Sequence, residues 1–471
     1  MDWSSTSEIN FEIINQAGFK CISEENDFFI DLTPSKDHTV LFDQASDTEQ
    51  IFNYVELPWN SQKHWDNVKD NLKTLKNRLK IQKEYLLIEL AISRYHRAKQ
   101  NYKNIEKLFQ GSSDEQSNYW LDKLIPKIAD LVLESAEIIQ KQIPILKSNS
   151  NHSISITKKQ SACILANAFF CTFENRFGKL NPPSMPFFNL NQMFDMSSEH
   201  RNSAKIEKLK CIMAYFERVT DSEPAGVLTY SRFSLKNEDK SLFENSSKKI
   251  RKTVFMKKGK IEDCTGAIQV DFANKFIGGG VFNSGCVQEE IRFVICPELL
   301  VSLLFMERMS EHECILIRGA ERFADYTGYS DSFRFKDKVV DKTKKDKHER
   351  ILCDVLAIDA HRFWKRSDQF SEKYFWREIF KSYAGFSANY KPIDEKETVL
   401  PYIATGNWDL IQLISASVAD RDLVYFTFGN EDLCNELEYI NSLLVKKSMS
   451  VADVVKFNKN TKISLCIRDV H

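Results

Sequence analysis

The sequence predicts a helical segment followed by an α/β layer of strands alternating with helices. Two observations carry this. Between Asp66 and Leu90, Leu72, Leu75, Leu79, Leu86 and Leu90 recur at three, four and seven residues, an apolar stripe with Lys and Arg opposite. Beyond about Arg218 the period shortens, and brief β-rich apolar runs separate helical stretches. At 471 residues the chain accommodates two or more domains of roughly 100–200 residues each. We divide it into residues 1–60, which carry no clear pattern, a helical segment 61–217, and an α/β segment 218–471.

In the helical segment, Pro126 suits a first helical position, with Ile128, Leu131, Val132, Ser135 and Ile139 turned inward. Residues 147–153 read as a polar loop. Thr157-Lys-Lys-Gln160 is a capping-box signature for the apolar helix Ser161 to Phe173. In the α/β segment, Val227–Phe233, Ile268–Phe272, Cys314–Arg318, Leu352–Ile358 and Leu423–Phe428 read as strands. Pro297–Met309, Arg366–Tyr383 and Leu410–Val418 read as the helices between them. Such layers place sites at the carboxyl ends of their strands.

Composition bounds the function. A formal net charge of −1 sets up no global field towards nucleic acid or membrane. The 11 cysteines form no CxxC pair, which suits reduced thiols inside a cell better than a disulfide frame or a zinc site. The polar, acidic start Met1-Asp-Trp-Ser-Ser predicts no signal peptide, and no run of about 18 apolar residues spans a bilayer. None of the 9 histidines sits in a metal-spaced pair, so no metal or other cofactor is expected.

Glycine is scarce, 15 in 471, and only Gly278, Gly279 and Gly280 are consecutive, so a backbone requirement is concentrated there. Gln288-Glu289-Glu290 follows at the start of an apolar helix, Val287–Cys296. A glycine turn beside acids suits a glycosidic bond flanked by phosphates; it equally suits an ordinary strand–turn–helix junction. Glycoside hydrolysis needs an acid for the leaving oxygen and an activated water. Neighbouring glutamates leave a regular backbone about 100° or more apart. They are therefore expected not to clamp one bond from opposite faces, and one must act as acid and base in turn. A helix start lowers a carboxylate pKa; a general acid needs the opposite, from burial or a like charge.

Asp271-Phe-Ala-Asn-Lys-Phe-Ile-Gly-Gly-Gly280, Val287-Gln-Glu-Glu-Ile-Arg-Phe293, Tyr326-Thr-Gly-Tyr329, Ala404-Thr-Gly-Asn-Trp408 and Val424-Tyr-Phe-Thr-Phe-Gly429 resemble the poly(ADP-ribose) glycohydrolase family. So does Ala162–Phe173, and the resemblance runs in order from about Trp65 to Phe457. It implies an α/β macrodomain, a mixed sheet between helices, preceded by a helical accessory domain. The implied activity is metal-free hydrolysis of ribose–ribose bonds in poly(ADP-ribose), including polymer on ADP-ribosylated proteins. The expected form is a monomer acting in cytoplasm or nucleus, in the response to DNA damage, without membrane or sequence-specific nucleic-acid binding.

By the same resemblance Glu290 donates the proton and then serves as base, Glu289 holds ribose hydroxyls, and Asp271 and Asn274 orient that region around Gly278, Gly279 and Gly280. Ile261 and Glu262 match the adenine-recognising segment, Phe428 the aromatic beside the ligand, Tyr329 a closing hairpin, and Gln288 a ribose contact. Core packing is the competing reading of Ile261 and Phe428. Asn407 and Trp408 lead, in the family, into a glycine-rich loop whose amides wrap the diphosphate. Here Trp408 runs directly into Asp409-Leu-Ile-Gln-Leu-Ile414, so that loop is missing and weaker ligand binding is expected. The basic runs Lys248–Lys252, Lys257–Lys260 and Lys342–Lys347 fit a polyanion, a nuclear address or a solvated charged surface.

Overall fold

The computed structural model describes residues 16, 41–42, 53–96, 101–174, 184–196, 199–346, 348–361, 363, 365, 368, 371–388, 400–406 and 409–461. Most of the segment 1–60, with Lys347, Arg366, Asn407 and Trp408, lies outside them, as do Cys21 and Cys466.

Eleven strands occur among these residues: β1 Leu41–Phe42, β2 His152–Thr157, β3 Val227–Ser234, β4 Thr253–Met256, β5 Ile268–Ala273, β6 Glu313–Gly319, β7 Ala324–Thr327, β8 Arg334–Lys338, β9 Ile351–Asp359, β10 Ile403–Gly406 and β11 Leu423–Phe426. Nine form one mixed sheet in the order β1-β2-β3-β6-β9-β5-β10-β11-β4, and β7 and β8 form a separate antiparallel hairpin. From β9 to β4 the neighbours are parallel; from β1 to β9 they are antiparallel.

The helices are α1 Gln62–Leu79, α2 Leu86–Ser93, α3 Lys103–Gln110, α4 Asp114–Tyr119, α5 Ile125–Ile138, α6 Lys158–Phe169, α7 Glu199–Asp221, α8 Gln288–Ile295, α9 Glu372–Phe386, α10 Asp409–Val418, α11 Glu431–Lys446 and α12 Val451–Thr461, with shorter turns between them. Successive strand residues point to opposite faces. Ile315 and Ile317 of β6 and Val355 and Ala357 of β9 therefore enter a core shared with α1, α5, α6, α7 and α8. Leu316, Leu356 and Ile358, with Ile268 and Val270 of β5, enter a second core under α9, α10 and α12. The segment 61–217 thus shares the first core and supplies β2 to the sheet.

Thr157 and Gln160 form the expected capping box: the Gln160 N–H donates to Thr157 Oγ1 (3.1 Å) and the Thr157 N–H to Gln160 Oε1 (3.0 Å). Other expectations need correction. Leu86 and Leu90 are 54% and 38% exposed, because α1 ends at Leu79 and α2 restarts in a new phase with Leu87, Ile88, Ala91 and Ile92 inward. Pro126 stands at the second position of α5, one residue after its start at Ile125. A π turn at Trp120–Leu124 joins α4 to α5, with the Ile125 N–H donating to Trp120 O. A widened turn absorbs the ring and the missing N–H. Pro297–Leu304 is a 3-10 helix, and the strand expected to reach Phe428 stops at Phe426.

Candidate active site

The carboxyl end of β5 delivers the chain into the glycine turn and then into α8. Gly278 and Gly279 have φ of 86° and 51°, left-handed values that glycine adopts without strain. A Cβ on Gly278 would meet Leu303 Cδ1 at 2.7 Å; one on Gly279 would stand 2.6 Å from both Glu289 Oε2 and Glu290 Oε1. At Gly279 there is no room for a side chain because two carboxylates occupy that space.

Each glutamate is held by backbone. Glu289 accepts the Gly278 N–H through Oε1 (2.7 Å) and the Asn274 N–H through Oε2 (2.8 Å). Glu290 accepts the Gly280 N–H through Oε1 (2.8 Å) and the Val287 N–H through Oε2 (2.9 Å). The last bond caps α8 from its third position, satisfying a donor that a helix start leaves orphaned. The carboxylate ends do not diverge as neighbouring positions predict. Both bend back over the turn and flank Gly279.

Asp271 is fully buried on the same side of β5, and neither of its oxygens has a hydrogen-bond partner among the described residues. Burial pushes its carboxyl up to about 8, helped by the charge of Glu290 and opposed by Arg292. Glu289 is likewise pushed well above the carboxylate range, by burial and then by Asp271 and Glu290. Arg292, one turn along α8, is buried and donates from Nη2 to Gln269 Oε1 (2.6 Å) and Cys353 Sγ (3.1 Å).

Asp271 sets a pH dependence of stability. Its folded value of about 8 lies above the value near 3.9 of an unfolded chain, so the native state keeps a proton that the unfolded state releases. Its contribution is complete below about pH 4 and is lost as pH rises to about 8. Asp271→Asn cannot ionise, so its gain in melting temperature over the parent should be larger at pH 8 than at pH 5. Equal gains in thermal melts at the two pH values would refute this.

Gln288 is committed to the sheet. β10 pairs with β5 only at Ile268 and Gln269. Beyond them the Gln288 amide takes the strand's place, accepting the Phe272 N–H (2.9 Å) and donating to Val270 O (3.2 Å). The first N–H of α8, that of Gln288, donates to the Tyr329 hydroxyl (3.2 Å) at the tip of the β7–β8 hairpin. Asn274 is exposed, and its Oδ1 accepts the Phe276 N–H (3.0 Å).

Ile261 and Glu262 lie in a 3-10 turn, Ile261–Asp263. Ile261 is buried with Val254, Met256, Tyr402, Val424 and Phe426, and half-buried Phe428 packs on that cluster. Phe428 has φ 47°, unusual for a side-chain-bearing residue, and packs edge-on to Phe272. Glu262 Oε1 accepts the Tyr326 hydroxyl (2.5 Å), tying this turn to the hairpin.

Sequence reasoning missed two elements. A Cβ on Gly285 would stand 2.7 Å from Glu290 Oε1. Lys208, buried on α7, donates to Val281 O (2.7 Å), Asn283 O (2.7 Å) and Gly285 O (2.6 Å). In the first basic run, Lys248 donates to Asp420, Lys249 to Ser448 O and Arg251 to Asp422, so these side chains are engaged within the fold. Among the described residues no group of three or more His, Cys, Asp or Glu side chains could hold a metal ion, and no helix is long and apolar enough to cross a membrane.

Two family models match: poly(ADP-ribose) glycohydrolase, helical domain, over residues 112–232, and poly(ADP-ribose) glycohydrolase, macro domain fold, over 240–435. The chain is 34% identical over 297 residues to poly(ADP-ribose) glycohydrolase 1 of Arabidopsis thaliana, covering 59% of this chain and 53% of that protein. It is 30% identical over 363 residues to poly(ADP-ribose) glycohydrolase 1 of Caenorhabditis elegans, covering 71% and 43%. Against the probable poly(ADP-ribose) glycohydrolase 2 of Arabidopsis thaliana it is 26% identical over 415 residues, covering 73% and 78%. The chain spans about half the length of the first two relatives. With a glycine turn enclosed by Glu289 and Glu290, a mixed sheet and both family models in register, the chain belongs to the poly(ADP-ribose) glycohydrolase family.

Proposed function

We propose that this chain hydrolyses the ribose–ribose O-glycosidic bonds of poly(ADP-ribose), on proteins or free, and releases ADP-ribose. The observation that carries the reading is the pair of buried carboxylates, Glu289 and Glu290, converging on a side-chain-free turn at a strand's carboxyl end. Glu290 gives its proton to the leaving ribose oxygen as the bond from the anomeric carbon breaks. The resulting Glu290 carboxylate then takes a proton from water while the water oxygen bonds to that carbon. One water is consumed, and the proton that Glu290 gave to the leaving oxygen is replaced from that water. Glu289 shapes the turn through Asn274 and Gly278 and presents its remaining lone pairs to ribose hydroxyls. Gly278, Gly279 and Gly280 admit the sugar, and Ile261, Glu262 and Phe428 line the base end. Tyr329 closes over the ligand.

Incubation of the chain with purified poly(ADP-ribose), with free ADP-ribose read by chromatography, tests the activity; no release at high enzyme concentration overturns it. We place the protein in cytoplasm or nucleus, a reading supported by nine described cysteines that are all buried and form no disulfide among the described residues. Imaging of the tagged chain tests that.

A second reading, a non-catalytic ADP-ribose-binding scaffold, is favoured by one observation. Only residues 407 and 408 separate β10 from α10, so no glycine-rich loop stands there to hold a diphosphate. Inserting such a loop after Trp408 is expected to tighten ADP-ribose binding at least about tenfold, as several charge-assisted hydrogen bonds at about 1.5–3 kcal/mol each would allow. Equal affinities by titration calorimetry, in two equally stable proteins, would show the loop to be dispensable.

A further inference from the structure

We infer that Lys208, from the helical segment, is a positioning residue for Glu290, holding the loop 281–285 whose two flanks donate to the Glu290 carboxylate. The inference rests on the glycohydrolase reading for its kinetic consequence, but its geometry stands apart. An ammonium has three N–H donors. All three of Lys208 are used, on Val281 O, Asn283 O and Gly285 O at 2.6–2.7 Å, so the loop wraps a single fixed cation.

The same loop begins and ends at Glu290. Gly280, just before it, donates to Oε1 and Val287, just after it, to Oε2. Gly280 and Gly285 pack backbone to backbone, and Gly285 leaves the volume in which Glu290 Oε1 sits. If the three carbonyls lose their common donor, they repel one another, the loop opens, and both amides on Glu290 shift.

The arrangement is costly for mere scaffolding. Burying an ammonium without a carboxylate partner is expensive, and Lys208 is fully buried on carbonyls. Burial pushes it down to about 8, an effect that Cys286 and then Glu290 oppose.

Two variants separate positioning from stability. Lys208→Gln keeps a polar head with two donors; Lys208→Arg keeps the charge with a different fork. In Lys208→Gln, kcat on poly(ADP-ribose) should fall at least about thirtyfold, with KM and the ADP-ribose Kd within about threefold of the parent. Lys208→Arg should recover a substantial part of the lost kcat. A folded Lys208→Gln with the parent's kcat, or a loss confined to KM, overturns the inference.

A readout independent of turnover uses glycine labelling. With 15N-glycine, the Gly280 amide reports on Glu290 and the Gly278 amide on Glu289. In Lys208→Gln the Gly280 resonance should move and that of Gly278 should stay. A stationary Gly280 resonance overturns the positioning role even if the parent chain proves inactive, an outcome that would count against the proposed function alone.

Discussion

On the proposed mechanism, Glu290→Gln is expected to remove hydrolysis of poly(ADP-ribose) while the protein still folds. That mechanism gives one residue both the acid and the base role, and each such role contributes about 10²–10⁴-fold, so loss of both should leave turnover below detection. The amide has one oxygen acceptor for two backbone donors, so the Gly280 or the Val287 N–H goes unpaired. That costs on the order of 1 kcal/mol and lowers the melting temperature by a few degrees at most. Chromatography of released ADP-ribose beside a thermal melt checks both parts. Parent-like turnover in a folded Glu290→Gln would remove Glu290 from the mechanism.

Gly279→Ala produces the second largest effect. The added methyl would stand 2.6 Å from Glu289 Oε2 and from Glu290 Oε1, at a backbone φ of 51°. The left-handed conformation costs a side-chain-bearing residue about 1–2 kcal/mol. The displacement of both carboxylates matters more, because a shift of about 1 Å in a reacting group costs about 10²-fold. Turnover per KM should fall at least about a hundredfold, with modest destabilisation. Gly280→Ala is the control: its methyl would meet Gly285 at 3.3 Å and Glu290 Oε1 only at 3.6 Å. It should be distinctly milder. Equal damage from the two substitutions would mean that the turn's backbone, not the space before the carboxylates, is what catalysis needs.

Local chemistry was legible in the sequence. The Thr157–Gln160 capping box, the five runs read as strands and the glycine turn leading into α8 depend on residues close together, and each is present. Where distant packing decides, local patterns misled. The leucine stripe continues through Leu86 and Leu90 on paper, but the helix ends at Leu79 and the phase is lost. Pro126 marks the start of α5 to within one residue, but nothing nearby announces the π turn that joins that helix to α4. Lys208 lies in Lys205-Ile-Glu-Lys-Leu-Lys210, which reads as surface charge, and its partners come more than 70 residues later. The convergence of Glu289 and Glu290 depends on four backbone donors that no spacing rule reveals.

The amide of Gln288 standing where a strand would stand has a kinetic consequence. The Phe272 N–H belongs to a central strand, yet its protection from solvent deuterium depends on a side chain of α8. Its exchange should follow the lifting of that helix from β5, a local opening of lower free energy than separation of the strands. The neighbouring β5 amides that face β9 should exchange only when the sheet itself comes apart. A single slow proton that becomes fast before its neighbours would thus clock how often the helix bearing the two glutamates leaves its seat.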